Sequence, residues 1–143
     1  DWMAIHEKDV MIEVYDELED IIKGGFRKAG LIDIPGKEDI AHLHIGDAKK
    51  IIPTLDKMYD IVYIDANKRE YIEYYDLVFD KVRHGGYILA DNVLWSGKVL
   101  LANPPKDAQT QSIIAFNKKI KEDPRVDNTI LPIRDGINVI YKL

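Results

Sequence analysis

The feature that most limits the folds open to this chain is a rhythm: short apolar, β-branched runs alternate with segments of helical spacing, and the runs end in or beside acids. "VMIEVY", residues 10 to 15, reads as a strand. Asp16 to Ala29 comes next, with Leu18, Ile21, Ile22, Phe26 and Ala29 at helical spacing and Gly30 as a stop. The pair Gly24 and Gly25 interrupts that helix, costing about 1 kcal/mol each relative to alanine. "IDIPGKED" is a loop, "AHLHIGD" a short strand ending at Gly46 and Asp47, and "AKKIIPTL" a short helix that Pro53 bends or ends. Met58 to Ile64 is again a strand. Lys68 to Val82 is a helix with Ile72, Tyr75, Phe79 and Val82 on one face, closed by "HGG". "YILADN" is a strand, "LWSGKVLLANPPKD" a loop, and Thr110 to Lys121 a helix with Ile113, Phe116, Asn117 and Ile120 inward. "TILPIRDGINVIYKL" holds two β-rich runs around Asp135 and Gly136, a hairpin signal.

This alternation predicts an α/β fold of the Rossmann-like kind: a mostly parallel sheet with helices on both faces and a C-terminal antiparallel hairpin at one edge. With 143 residues, 46% of them hydrophobic, one core and one domain over residues 1–143 are expected. Crossovers in such sheets are right-handed, so successive strand carboxyl ends share the edge where open α/β sheets bind ligands. Acids and bases are interspersed around a net charge of -5, which gives no electrostatic case for nucleic acid or an anionic membrane. No cysteine is present, which removes disulfides and thiolate metal sites and suits a cytoplasmic location. No apolar stretch reaches the roughly 20 residues of a spanning helix.

Glu13, Asp47, Asp65 and Asp91 fall at or just after strand ends. Any one of them reads equally well as the cap of the next helix. Asp65 and Asp91 lie on strands joined by one crossover, so they are expected side by side, where two carboxylates repel or share a cation. Asn92 adds a third oxygen. Three oxygens with open positions suit magnesium, with calcium or manganese as alternatives, and not a soft metal. His42 and His44 share a strand face, but no third imidazole or thiol is expected beside them, so they read as packed or solvent-facing.

"GDAKKIIPTL", "YDIVYIDANKREYIEYYDLV", "GGYILADNVLWSGKV", "DPRV" and "LPIRDGINVI" together resemble the cation-dependent, S-adenosylmethionine-dependent O-methyltransferases of the caffeoyl-CoA and catechol type, especially bacterial ones. The resemblance runs from about Met11 onward. It implies that Asp65, Asp91 and Asn92 hold the divalent cation and that Lys68 is the catalytic base. It also implies that Glu13 bonds the cofactor ribose, that Asp47 and Ala48 border its adenine, that Asp65 belongs to the cofactor-binding set as well, and that Trp95 helps wall the site of a phenolic acceptor. A phenol is a poor nucleophile at neutral pH, and an oxygen beside a dication loses its proton far more readily. Lysine is protonated in water at that pH, so Lys68 can act as a base only where burial or a neighbouring cation favours the free amine.

The family places a further strand and a glycine-rich loop ahead of the Glu13 strand, and "DWMAIHEKDV" carries neither. A partial domain, a weak hold on S-adenosylmethionine, and self-association as a dimer or larger are therefore expected. A non-catalytic, self-associating fragment is the rival reading; a phosphoacceptor receiver domain, which also places acids at strand ends, explains neither Asn92 nor the "RDG" turn.

Overall fold

The structure is a computed structural model, and it describes residues 9–13 and 16–143; Val14 and Tyr15 of the first expected strand, and the stretch 1–8, lie outside the described residues. The chain divides into two compact units, Asp1–Thr54 and Leu55–Leu143.

In the first unit, β1 (Asp9–Glu13) pairs in parallel with β2 (Ala41–Ile45), Glu13 opposite Ile45. A 3-10 turn, Asp16–Leu18, leads into α1 (Glu19–Lys28), which runs unbroken through Gly24 and Gly25. Leu18, Ile22 and Phe26 are half-buried at i, i+4 spacing, whereas Ile21 is 72% exposed and Ala29 is exposed. Ile21 sits about 100° round the helix from Ile22, outside the narrow stripe that packs. After β2 come α2 (Ala48–Ile51) and a 3-10 turn, Ile52–Thr54, that accommodates Pro53.

The second unit is a four-stranded sheet in the order β3 (Tyr59–Ile64), β4 (Val82–Asp91), β6 (Ile137–Lys142), β5 (Val126–Leu131). β3 and β4 are parallel, and β6 is antiparallel to both β4 and β5. The expected mixed α/β class with a C-terminal antiparallel hairpin is therefore borne out. Strand β6 inserts beside β4 and pushes β5 to the edge.

The helix expected over Lys68–Val82 is shorter. Lys68–Glu70 is a 3-10 turn, α3 covers Tyr71–Phe79, and Val82 already pairs with Tyr59 in the sheet. "HGG" lies inside β4 and not at a helix stop. The register jumps there from Tyr59 opposite Val82 to Ile61 opposite Tyr87, so the extra residues form a bulge. Gly85 has φ +75, and a Cβ on Gly86 would lie 2.7 Å from Val82 Cγ1 and 2.9 Å from the Asp60 carbonyl oxygen. Both glycines are needed for the bend, the first by conformation and the second by space.

α4 (Ala108–Glu122) is N-capped by Asp107, whose carboxylate accepts from Thr110 N at 2.9 Å and Thr110 Oγ1 at 2.6 Å. It buries Ile113, Phe116 and Ile120, and Ile88 and Ile140 of the sheet are buried as well. Phe116 meets Tyr71 and Tyr75 edge-on, with centroids 5.4 and 6.3 Å away. Lys142 is buried too, its Nζ donating to the carbonyls of Phe79 at 2.8 Å and Val82 at 2.7 Å, where α3 hands over to β4. Among the described residues no helix is long and apolar enough to cross a membrane.

This packing sets the cost of two substitutions. Phe116→Ala removes a fully buried ring and should cost about 3–5 kcal/mol, read as a lower urea midpoint for the unit. Asp123 accepts from Arg125 Nη2 at 2.6 Å, from Arg125 N at 3.0 Å and from Tyr75 Oη at 2.9 Å, and Arg125 foremost holds its carboxyl well below the usual carboxylate range. A depressed folded-state pKa contributes stability above the unfolded value, near 3.9, and loses it as pH falls below that. Asp123→Asn should therefore destabilise by about 1 to 3 kcal/mol at pH 7 and much less near pH 2, measured by denaturant titration at both.

Candidate active site

Parallel pairing places Ile64 opposite Ala90, so the residues after them, Asp65 and Asp91, leave adjacent strands at the same end of the sheet. Asp65 does not cap the 3-10 turn after β3. Asn67 does, its side chain accepting from Arg69 N at 3.2 Å, which leaves the Asp65 carboxylate for Lys68. Lys68 Nζ donates to Asp65 Oδ1 at 2.7 Å and to Tyr71 Oη at 2.6 Å. Lys68 is buried, 9% exposed, while Asp65 reaches solvent.

Tyr71 binds the group together. Its hydroxyl receives Lys68 and donates toward the Asp91 carbonyl at 2.9 Å, with the Ile64 carbonyl at 3.2 Å. Burial, then the charge of Asp65, pushes its pKa far above that of an ordinary phenol, so it stays a neutral hydroxyl. Tyr63 donates to Asp91 Oδ2 at 2.5 Å, and burial and then that bond raise its pKa as well. Asp91 Oδ1 accepts from the backbone N–H of Asn92 at 2.6 Å. Reasoning from sequence missed Tyr63, Asn67 and Tyr71. The signals were present: Tyr63 is two residues before Asp65 on the same strand face, and Tyr71 is one helical step, i+3, from Lys68.

The loop after β4 is held in an unusual backbone. Asn92, Trp95 and Ser96 have φ of 58, 49 and 54, and Gly97 has 73. Left-handed non-glycine residues cost of order 1–3 kcal/mol each and persist where the surroundings over-determine them. The surroundings here are the 132–136 turn and α4. Val93 N donates to the Gly136 carbonyl at 3.1 Å, Leu94 N to the Asp135 carbonyl at 2.9 Å, and Asn117 Nδ2 to the Val93 carbonyl at 2.8 Å. Trp95 is half-buried, with Lys98 Nζ 5.7 Å from its ring centroid, and its indole N–H is buried without an acceptor among the described residues.

Asp65, Lys68, Asp91 and Asn92 are thus brought to one sheet edge in the second unit. Among the described residues no three His, Cys, Asp or Glu side chains group so as to hold a metal, so a cation site here depends on the Asn92 amide as third donor. Two carboxylates and an amide are hard oxygen donors and fit magnesium, calcium or manganese. The remaining expected residues belong to the first unit. Glu13 ends the described part of β1, its carbonyl accepting from Gly46 N at 2.8 Å. Asp47 N-caps α2, its side chain accepting from Lys49 N at 3.0 Å, and Ala48 is the first residue of that helix. The capping reading therefore holds for Asp47 and fails for Asp65. Among the described residues His42 Nε2 is buried without a hydrogen-bond partner, and His44 is exposed.

Known proteins resemble this chain in sequence and in fold. The family profile described as O-methyltransferase matches residues 7–143. A Dictyostelium discoideum protein named "Probable caffeoyl-CoA O-methyltransferase 1" is 39% identical over 113 residues, covering 76% of this chain and 49% of that protein. "Tricin synthase 2" of Oryza sativa subsp. japonica is 34% identical over 142 residues, covering 95% of this chain and 48% of that protein. The chain thus spans about half the length of these relatives. Among solved structures, an SAH-bound methyltransferase from Podospora anserina superposes with a TM-score of 0.79 at 27% identity, covering 94% of this chain and 60% of that one. A Streptomyces achromogenes O-methyltransferase in complex with SAM gives 0.80 at 25% identity, covering 93% and 60%.

Proposed function

Because the chain belongs to the O-methyltransferase family, we propose that it moves a methyl group from S-adenosylmethionine to one hydroxyl of a catechol-like or caffeoyl-type phenol, with a divalent cation. The observation that carries this reading is a chain of hydrogen bonds across the two strand ends: Lys68 Nζ donates to Asp65 Oδ1 and to the Tyr71 hydroxyl, and that hydroxyl donates to the Asp91 carbonyl. In the proposal Asp65, Asp91 and Asn92 hold the cation. When bound it supplies the positive charge that makes an adjacent hydroxyl more acidic and takes up charge from the carboxylates. S-adenosylmethionine supplies an electrophilic methyl on a sulfonium, with Glu13, Asp47 and Ala48 proposed to hold its nucleoside.

Lys68 takes the acceptor proton at Nζ. Its ammonium would then stand where Asp65 Oδ1 and Tyr71 Oη already receive two of its protons, a cradle that costs little reorganisation. Tyr71 remains protonated and so keeps donating to the Asp91 carbonyl while it accepts from Lys68. Trp95 walls the acceptor side and keeps water from it. A vicinal diol can offer two oxygens to a hard cation, a monohydroxy phenol only one, which makes the diol the better acceptor.

The test is transfer of labelled methyl from S-adenosylmethionine to a catechol and to a matched monohydroxy phenol. The catechol should be strongly preferred and excess EDTA should abolish turnover; equal use of both acceptors, or full activity in EDTA, would overturn the reading. Lys68→Met should lower kcat about 10²- to 10⁴-fold with little change in acceptor KM. Asp65→Ala and Asp91→Ala should remove divalent-ion binding in calorimetry.

A second reading, a self-associating module without catalysis, draws on the sheet itself. Among the described residues β3 is an edge strand, and Ile61, Tyr63, Tyr87 and Tyr141 are 59, 38, 40 and 37% exposed on one face of its sheet. Sedimentation velocity over a range of concentrations should show dimers or larger species; a monomer throughout removes this reading.

A further inference from the structure

The "RDG" turn, Arg134 to Gly136, supplies no group to the proposed chemistry, yet it touches the site's most unusual backbone. Trp95, Ser96 and Gly97 are consecutive left-handed residues. L-residues visit that region singly, so a run of them needs something outside the run to hold it. Asp135 is that group. Its carboxylate Oδ1 accepts from the amide of Ser96 at 2.5 Å, across 39 positions of sequence, and its own carbonyl accepts from Leu94 N at 2.9 Å. Gly136 lies against the loop from the same side: its carbonyl accepts from Val93 N, and a Cβ there would fall inside the Leu94 side chain. Arg134 and Gly136 are themselves left-handed, φ 52 and 83, so the turn is shaped to bring these acceptors to the loop. A hairpin needing only to reverse the chain would not require a carboxylate aimed at another strand's exit.

We propose that Asp135 is a positioning residue for the candidate cation and acceptor site: its carboxylate on Ser96 N fixes the 92–97 loop, and through that loop the placement of Asn92 and Trp95. The proposal rests on the reading of Asp65, Asp91 and Asn92 as cation ligands. Asp135 touches neither substrate nor cation in this scheme. It acts by making the left-handed stretch the stable state of the loop, so that the third donor and the acceptor wall are in place before anything binds.

The chain has two tryptophans, so a Trp2→Phe background leaves Trp95 as the sole indole reporter. In that background, Asp135→Ala and Asp135→Asn are compared by acrylamide quenching of Trp95 and by calorimetric titration with Mn²⁺. Asp135→Ala should make Trp95 more quenchable and weaken Mn²⁺ binding about 10-fold or more. Asp135→Asn keeps an oxygen for Ser96 N and should restore most of both. A fall in thermal midpoint with quenching and Mn²⁺ affinity both at the parent value would show a merely structural role and overturn the proposal. If Asp135→Ala does not fold by circular dichroism, Asp135→Glu displaces the carboxylate by one methylene and is read the same way. If the parent protein binds no Mn²⁺, the cation-ligand reading fails by itself, and unchanged quenching in the variants would separately overturn the clamp.

Discussion

One hydroxyl, that of Tyr71, is the point on which the second unit's chemistry and packing both depend. It lies at the first turn of α3, on a residue 1% exposed, with its ring edge-on to Phe116 from α4. The ring belongs to the core, and the oxygen belongs to the sheet edge, where it meets carbonyls of β3 and β4 and the amine of Lys68. A buried hydroxyl is expensive to leave unpaired, so its partners are fixed relative to one another once the ring is packed. The aromatic core thus sets the positions of Lys68 and the Asp91 backbone from beneath. Phenylalanine at this position would fill the same volume and leave the lysine amine with Asp65 alone.

The same economy of parts is visible at the two strand ends. Asn67 caps the 3-10 turn after β3, and Asp91 bonds its own neighbour's amide with one oxygen while the other faces Tyr63. Asp65 is spared the local role that acids at strand ends ordinarily take. What distinguishes it from Asp47, which does cap its helix, is only that a side-chain amide two residues further on caps the turn instead.

Much of this was legible in the residues. Apolar runs marked the strands, the spacing of Ile113, Phe116 and Ile120 marked α4, and the acids just after β3 and at the end of β4 pointed to the candidate site. The failures have physical causes. "HGG" after a helical pattern looks like a helix stop, because a left-handed glycine serves a helix end and a strand bulge equally well; the choice was made by Val82 pairing with Tyr59, a contact no local pattern records. Ile21 fitted the helix period but lay outside the stripe that packs, since a period fixes angles and not the width of the covered face. The sequence around Asp135 signals a hairpin, which the structure has, while the bond from Ser96 to Asp135 leaves no mark on any local pattern because it joins residues with no periodic relation.

The place of β6 has a further consequence, for the order in which this unit can be made. β5 precedes β6 in sequence, but among the described residues β6 is its only strand neighbour, and β4 reaches β5 only through β6. A chain emerging from a ribosome can form the β3–α3–β4 layer early, yet β5 has no strand to join until residues 137–142 have been synthesised. Lys142 then closes the junction of α3 and β4, about 60 residues back. Such pairings raise contact order and slow folding. Until they form, the free side of β4 remains open to other chains, a period in which a holdase would serve the protein best.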